Sequence, residues 1–232
     1  MEDDSRIGKL SIVATPIGNL GDITFRALWT LKEANAIYAE DTRVTAKLLT
    51  HYGLRTPVFR LDAATEGKKA GEVLKRLEAG EKIAFVTDAG TPGVSDPGAR
   101  LVAYVRAELP EMKIEAIPGP SAITALLSIA GVSTDEFLFL GFLPHKKGRQ
   151  TAIRDITKSN VPIIIYESPH RILKFLRELE KVAPKAHVII GRELTKVHEE
   201  VLSGHPAELA VTLEKGKKVR GEFVVIVEAY GV

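Results

Sequence analysis

The chain has 232 residues, 45% of them hydrophobic, enough for one large domain or two small ones around a sizeable core. Its 32 Lys and Arg exceed its 30 Asp and Glu by only two, so a basic footprint for nucleic acid has to be local. With no cysteine, disulfides, thiolate chemistry and cysteine-based metal centres are excluded, and the six histidines contain no pair at metal-ligand spacing, so no metal is expected.

The first residues, "MEDDSRIGK", are polar and acidic and lack the apolar core of a secretory signal. No apolar run approaches spanning length, so the expectation is a cytoplasmic protein with no membrane partner. "LSIVA" (10–14) and "NAIYAE" (35–40) have strand character, and between them "TFRALWTLKEA" repeats Phe25, Leu28 and Leu31 at intervals of three, as on a helix face. In "KKAGEVLKRLEAG" a helical stripe of Ala70, Val73, Leu74 and Leu77 ends at Gly80, and "KIAFV" follows as a buried strand. A glycine-rich exit, the helix "ARLVAYVRAEL" and the strand "KIEAI" complete the first half. Strands alternating with helices imply a mostly parallel sheet covered on both faces.

"IPGPSA" (117–122) reads as a stiff hinge in which Ser121 can cap the helix "AITALLSIA". This places the domain boundary there, giving 1–117 and 118–232. The second half continues with "EFLFLG", a helix from about Arg149, "VPIIIY", "PHRILKFLRELEKV", "HVIIG", "EEVLSG", "PAELAVTLE" and "EFVVIVEAY". Stronger alternation and a possible hairpin at "GRELTKVHEEVLSG" predict a mixed second sheet. The expected fold is thus α/β with two α/β domains.

Four glycine- or proline-rich exits stand at the carboxyl ends of predicted strands: "TPIGNLGD" (15–22), "TDAGTPGVSDPG" (87–98), "IPGPSA" and "YESPHR" (166–171). In open parallel sheets ligands lie outside those ends. Neither G-x-G-x-x-G nor G-x-x-x-x-G-K-[ST] occurs, which argues against a dinucleotide or a P-loop triphosphate. Prolines and carboxylates in place of a pyrophosphate cradle suit a ligand with a carboxylate, an amine and a ribose, such as S-adenosylmethionine; tight α/β turns are the alternative.

"IVATPIGNLGDITFRAL", "AEDTRVTAKLLTHYG", "VTDAGTPGVSDPGARLV", "IPGPSA" and "YESPHRI", in this order over about residues 10–172, resemble the tetrapyrrole methylase family, and within it the ribosomal RNA small-subunit methyltransferase I branch. The resemblance implies a cofactor cleft between the two domains, a homodimer, and S-adenosylmethionine-dependent 2′-O-methylation of a decoding-region cytidine in 16S ribosomal RNA, the substrate being the small subunit, assembled as 30S. The wider family's Gly-Asp-Pro is replaced by Gly90, Thr91 and Pro92, which argues against a tetrapyrrole substrate. A small-molecule methylase and a non-catalytic RNA-binding or ribosome-assembly protein stay open as alternatives.

On this reading Pro16, Ile17, Gly18, Asp88, Gly90, Thr91, Pro92 and Val94 line the cofactor, Ser121 and Ala122 meet its carboxylate at a helix start, and Tyr166 packs on the adenine or is a core aromatic. Proton removal from the ribose hydroxyl needs a base at a strand exit, where Glu40, Asp41, Glu167 and His170 stand. Glu167, expected half-buried at the mouth of the cleft, and Asp41 are the catalytic candidates, Asp41 having helix capping as its rival role. Arg43 and Arg171, with Lys146, Lys147 and Arg149 of the basic run "PHKKGRQ", are the expected RNA contacts; "EKGKKVRGE" (214–222) is a second basic run, and each run has a solvated turn as its alternative.

Overall fold

The computed structural model describes residues 8–132, 135–216 and 218–228, so the acidic start and Lys217 of the second basic run lie outside the described residues. The chain divides into two compact units, Met1–Ser121 and Ala122–Val232, where the sequence reading drew its line after residue 117.

The first unit runs β1 (Lys9–Val13), α1 (Phe25–Glu33), β2 (Ala36–Ala39), α2 (Thr42–His51), β3 (Val58–Arg60), α3 (Glu66–Glu78), β4 (Lys82–Val86), α4 (Ala99–Glu108) and β5 (Lys113–Ile117). The sheet order is β3-β2-β4-β1-β5, and every pairing is parallel. Because side chains alternate across a strand, Tyr38, Ile83 and Phe85 pack on one face against Ala70, Val73 and Leu77 of α3 and Leu101 and Val105 of α4. Ile37, Ala39, Ala84 and Val86 pack on the other against Ala27 and Leu31 of α1 and Leu48 and Leu49 of α2. All four residues of β2 are therefore buried, as a strand covered on both faces must be.

One expectation is corrected here, and one strand was not anticipated. The inward face of α1 is Ala27 and Leu31, four residues apart, whereas Phe25 is 92% exposed. At 3.6 residues per turn, positions six apart such as Phe25 and Leu31 point about 120° away from each other, so a spacing of three repeated twice does not hold one face. The strand β3 has no counterpart in the sequence reading: it is three residues long at a sheet edge with Phe59 and Arg60 exposed, too short to show a period.

The second unit runs α5 (Ala122–Ala130), β6 (Leu138–Phe142), α6 (Arg149–Ile156), β7 (Ile163–Glu167), α7 (Pro169–Val182), β8 (His187–Arg192), β9 (Glu200–Gly204), α8 (Pro206–Lys215) and β10 (Phe223–Glu228). Its order is β6-β7-β10-β8-β9, parallel only between β6 and β7, so the sheet is mixed as expected. Ile163, Ile165, Val188, Ile190, Phe223, Val225 and Val227 turn one face toward α6, α7 and α8. Ala229 and Tyr230 of the expected last strand lie outside the described residues.

In an all-parallel sheet every strand leaves at the same edge, so the segments after Val13, Ala39, Arg60, Val86 and Ile117 are neighbours. The longest of them, between β4 and α4, is fixed at its far end by a residue the motifs did not reveal. Buried Glu66, in the first turn of α3, accepts from the backbone N–H of Gly98 at 3.1 Å and of Leu101 at 2.8 Å, thereby capping α4 from outside its own sequence. Gly98 has φ +123°, and a Cβ there would come within 2.7 Å of the Phe85 ring. Glu66→Ala is expected to lower unfolding free energy by roughly 1–3 kcal/mol, read from the urea midpoint at unchanged slope, because two buried donors lose a charged acceptor.

Candidate functional site

The exits of β1 and β4 are pinned by a reciprocal pair of backbone bonds: Thr15 N–H to Gly90 O at 2.9 Å and Gly90 N–H to Thr15 O at 3.0 Å. Thr15 adds its hydroxyl to Thr87 O at 3.1 Å. Gly90 has φ +77°, a conformation a side chain resists. The exit of β5 joins them, since the Thr91 hydroxyl donates to Pro120 O at 3.3 Å and a Cβ on Gly119 would press on Ala14 Cβ at 3.0 Å. The glycines and prolines of 15–18, 88–94 and 117–121 thus bring three backbones together, and with them the predicted Pro16, Ile17, Gly18, Gly90, Thr91, Pro92, Val94 and Ser121 share one edge of the first unit. Beneath them the Thr87 hydroxyl oxygen is buried and has no hydrogen-bond partner among the described residues.

The exits of β2 and β4 are joined by side chains. Asp88 Oδ1 accepts from the Asp41 N–H at 3.0 Å, and Asp88 returns a backbone hydrogen bond to the Glu40 carboxylate. Asp41 caps α2 by accepting from Arg43 N–H at 2.8 Å and pairs with the Arg43 guanidinium at 2.6 Å. Those bonds to Arg43 hold the Asp41 carboxyl well below the usual carboxylate range. Arg60 and Asp62 form a second pair at 2.6 Å. A cavity of about 550 Å³ is lined by Glu40, Asp41, Thr42, Arg43, Arg60, Asp62 and Asp88.

The remaining carboxylates of this edge behave differently. Desolvation, and then the Asp88 charge, raise the pKa of Glu40. Desolvation also raises Asp88, with the Asp41 N–H acting against it. Asp96 is exposed at its outer edge, yet the protein packed around its carboxyl, with the charges of Glu40 and Asp88, pushes it up to about 6. It therefore carries a proton below pH 6 and is a carboxylate above it.

In the second unit Tyr166 is half-buried and packs edge-on against Phe139 at 5.0 Å and tilted on the exposed Phe142 at 5.6 Å, forming an aromatic group with the edge strand β6, outside the buried core. Ala122 opens α5. Glu167 departs from expectation: its side chain is fully buried, one oxygen 3.1 Å from Arg171 Nε and the other 3.5 Å from Arg149 Nη1. Arg149, expected on the RNA-facing surface, is 3% exposed and holds Glu178 at 2.7 Å, and Arg171 turns inward to the same cluster. Both leave the set of free surface cations because the buried carboxylate of Glu167 and the half-buried one of Glu178 have claimed their guanidinium groups. Lys146, Lys147 and Arg43 are exposed. The described residues hold no cluster of His, Cys, Asp or Glu able to bind a metal ion, and no helix long and apolar enough to cross a membrane.

The family model for Tetrapyrrole (Corrin/Porphyrin) Methylases matches residues 9–210. The chain belongs to this family. Among curated relatives of this tetrapyrrole methylase, "Ribosomal RNA small subunit methyltransferase I" of Thermotoga maritima is 42% identical over 95% of this chain and 98% of its own length. The protein of the same name from Borrelia garinii subsp. bavariensis is 46% identical over 94% and 97%. Among solved structures, the uroporphyrin-III C-methyl transferase of Thermus thermophilus complexed with S-adenosyl homocysteine superposes with a TM-score of 0.64 at 18% identity, covering 95% of this chain and 97% of that one. That likeness establishes the shared fold.

Sequence reasoning missed Glu66, the Arg60–Asp62 pair and the buried partners of Glu167. For Asp62 a local signal exists: three residues before Thr65 at the entry of α3, it accepts from the Thr65 N–H and hydroxyl at 2.8 Å each. The hydroxyl of Thr87 makes no bond within the described protein, so Thr87→Val is expected to leave the urea midpoint within about 0.5 kcal/mol of wild type or to raise it.

Proposed function

We propose that the chain transfers a methyl group from S-adenosylmethionine to the ribose 2′-hydroxyl of a cytidine in the decoding region of small-subunit ribosomal RNA, acting in the cytoplasm on the assembled 30S subunit as a homodimer. The observation that carries this reading is the end-to-end match to relatives named as small-subunit ribosomal RNA methyltransferases. The exposed cations Arg43, Lys146 and Lys147 supply phosphate contacts on a chain of nearly balanced charge. A homodimer is supported by the edge strand β6, where Leu138, Leu140 and Phe142 are exposed with neighbouring Phe137.

The residues at the first unit's edge fit the methyl donor. Main-chain groups of Thr15 to Gly18, Gly90 to Val94 and Pro120 to Ser121 would hold it by hydrogen bonds that need no metal, and the buried Thr87 hydroxyl is a polar group left over for a ligand. When bound, S-adenosylmethionine supplies an electrophilic methyl group on its sulfonium. The protein's part is to hold the ribose oxygen in line with it and to take the hydroxyl proton.

For that proton Asp96 is the suited acceptor. Asp41 is committed to Arg43 and to the start of α2, and Glu167 is buried between two arginines. Glu40, Asp88 and Asp96 make no ion pair among the described residues, and of these Asp96 has a pKa near neutrality, which combines ionisation at pH 7 with useful basicity. Arg43, 86% exposed, gives its guanidinium Nε and Nη2 to Asp41 and keeps the outer side of that group for an RNA phosphate beside the cavity.

Purified protein with labelled S-adenosylmethionine and 30S subunits should deposit label on a cytidine ribose; label on a base, or on a tetrapyrrole precursor alone, overturns the assignment. The rate at subsaturating RNA should rise with pH through a midpoint of about 6, and Asp96→Asn should remove that rise and slow transfer by roughly 100-fold or more. Stability moves the opposite way. Because the folded-state pKa is raised, protonated Asp96 favours the fold below the unfolded value and that contribution is lost as pH rises through about 6, so Asp96→Asn should melt higher than wild type at pH 8 and equally at pH 3.

A further inference from the structure

Glu167 is enclosed by a network whose outer end is the basic loop. Its Oε1 accepts from the Ser168 N–H at 3.1 Å and faces Arg171 Nε at 3.1 Å; its Oε2 faces Arg149 Nη1 at 3.5 Å. The two guanidinium groups then reach past it to the segment that leaves β6. Arg171 Nη2 donates to the carbonyls of Leu143 and of Pro144, the latter at 3.4 Å, and its Nη1 lies 3.4 Å from His145 Nε2. Arg149 Nη1 donates to Pro144 O at 3.4 Å, its backbone N–H closes a turn onto Lys146 O at 3.2 Å, and its Nε is fixed by Glu178 at 2.7 Å. Gly148, with φ +84°, makes the reversal that sends the Arg149 side chain inward while Lys146 and Lys147 remain outside.

Burying ions is a poor way to gain stability, because desolvation consumes most of the attraction and apolar residues of similar volume hold a core as well or better. Arginines contribute something apolar side chains cannot: planar forks of donors that fix carbonyls in direction as well as distance. Here one nitrogen of each group ends on the carbonyls that set the course of the segment after β6, Arg171 Nη2 on Leu143 and Pro144 and Arg149 Nη1 on Pro144, while Arg149 Nη2 is buried with no partner among the described residues. We infer that Glu167 is a positioning residue: it orients Arg149 and Arg171, which hold the 144–148 loop so that Lys146 and Lys147 present two ammonium groups to consecutive phosphates of the RNA substrate. The inference rests on the RNA reading given above, and it assigns Glu167 to substrate binding and away from proton transfer.

The test is steady-state methylation of 30S subunits over a range of salt by wild type, Glu167→Gln, Lys146→Ala/Lys147→Ala, and the triple variant, alongside donor affinity by calorimetry. Losing two phosphate contacts should raise KM for 30S by roughly tenfold or more and reduce the slope of log KM against log salt by about 2. Glu167→Gln should reproduce both changes with kcat and donor affinity within about twofold of wild type, and the triple variant should be little worse than either parent, because the lysines of a released loop have already lost their phosphates. Arg171→Lys keeps the charge beside Glu167 but loses the Nη2 bonds to Leu143 and Pro144; it should show the same KM shift, and it carries the test if Glu167→Gln does not fold at assay temperature.

A fall in kcat at unchanged KM would make Glu167 the proton acceptor. Additive losses in the triple variant would reduce the network to a structural element. Either result overturns the inference while leaving the RNA reading in place, whereas wild-type protein with no salt-dependent affinity for 30S overturns both.

Discussion

Two backbone hydrogen bonds between Thr15 and Gly90 govern the architecture of the first unit's working edge. A parallel sheet brings its strand exits to one side but leaves them free to diverge into separate loops. The Thr15–Gly90 pair prevents that by continuing the β1–β4 partnership beyond the sheet in the opposite sense, so that two segments about to enter different helices travel face to face first. Everything nearby follows from the close approach this requires: glycine at 90 for the backbone angle, glycine at 119 for clearance over Ala14, and prolines 16 and 92, both buried, which need no hydrogen-bond partner for a missing N–H.

The charges of the molecule divide into two kinds. One kind is neutralised in place: Asp41 by Arg43, Asp62 by Arg60, Glu167 by Arg149 and Arg171. The other is a group of carboxylates, Glu40, Asp88 and Asp96, that make no ion pair among the described residues and whose proton affinities are raised, first by desolvation and then by neighbouring carboxylate charge. A fold optimised only for stability would have paired or removed them. Keeping like charges adjacent is the pattern expected where a proton must be taken up near neutral pH, and the ion pairs around the group limit how far its field is relieved.

The alternation of strands and helices, the mixed second sheet and the glycine-rich exits were legible because each depends on local pattern: period two, period 3.6, and the few residues that tolerate unusual backbone angles. The family was legible for the same reason, since its motifs are those exits. Long-range pairing of charges was not. Arg149 belongs by sequence to a run of cations, and only the left-handed turn at Gly148 and a partner twenty-nine positions away on α7 decide that it points into the protein. Glu167 follows an apolar strand just as a residue emerging into solvent would, and its burial becomes evident only when α6 and α7 are folded over it. Phe25 misled in the other direction: a large apolar side chain in the first turn of a helix that uses a small alanine for its contact.

Glu66 fixes more than the start of a helix. With Gly90 tied to Thr15 at one end and Gly98 tied to Glu66 at the other, the intervening chain is a strap between two posts, and one post belongs to α3, on the opposite side of the sheet from α1 and α2. Such a strap can bow but cannot swing away, so motion there is confined to bending about the glycines, and Asp96 rides on it with a short leash. Amide exchange should accordingly be slow at both posts and fast between them, and a protease cut within the strap would leave each post in place while setting the carboxylate adrift.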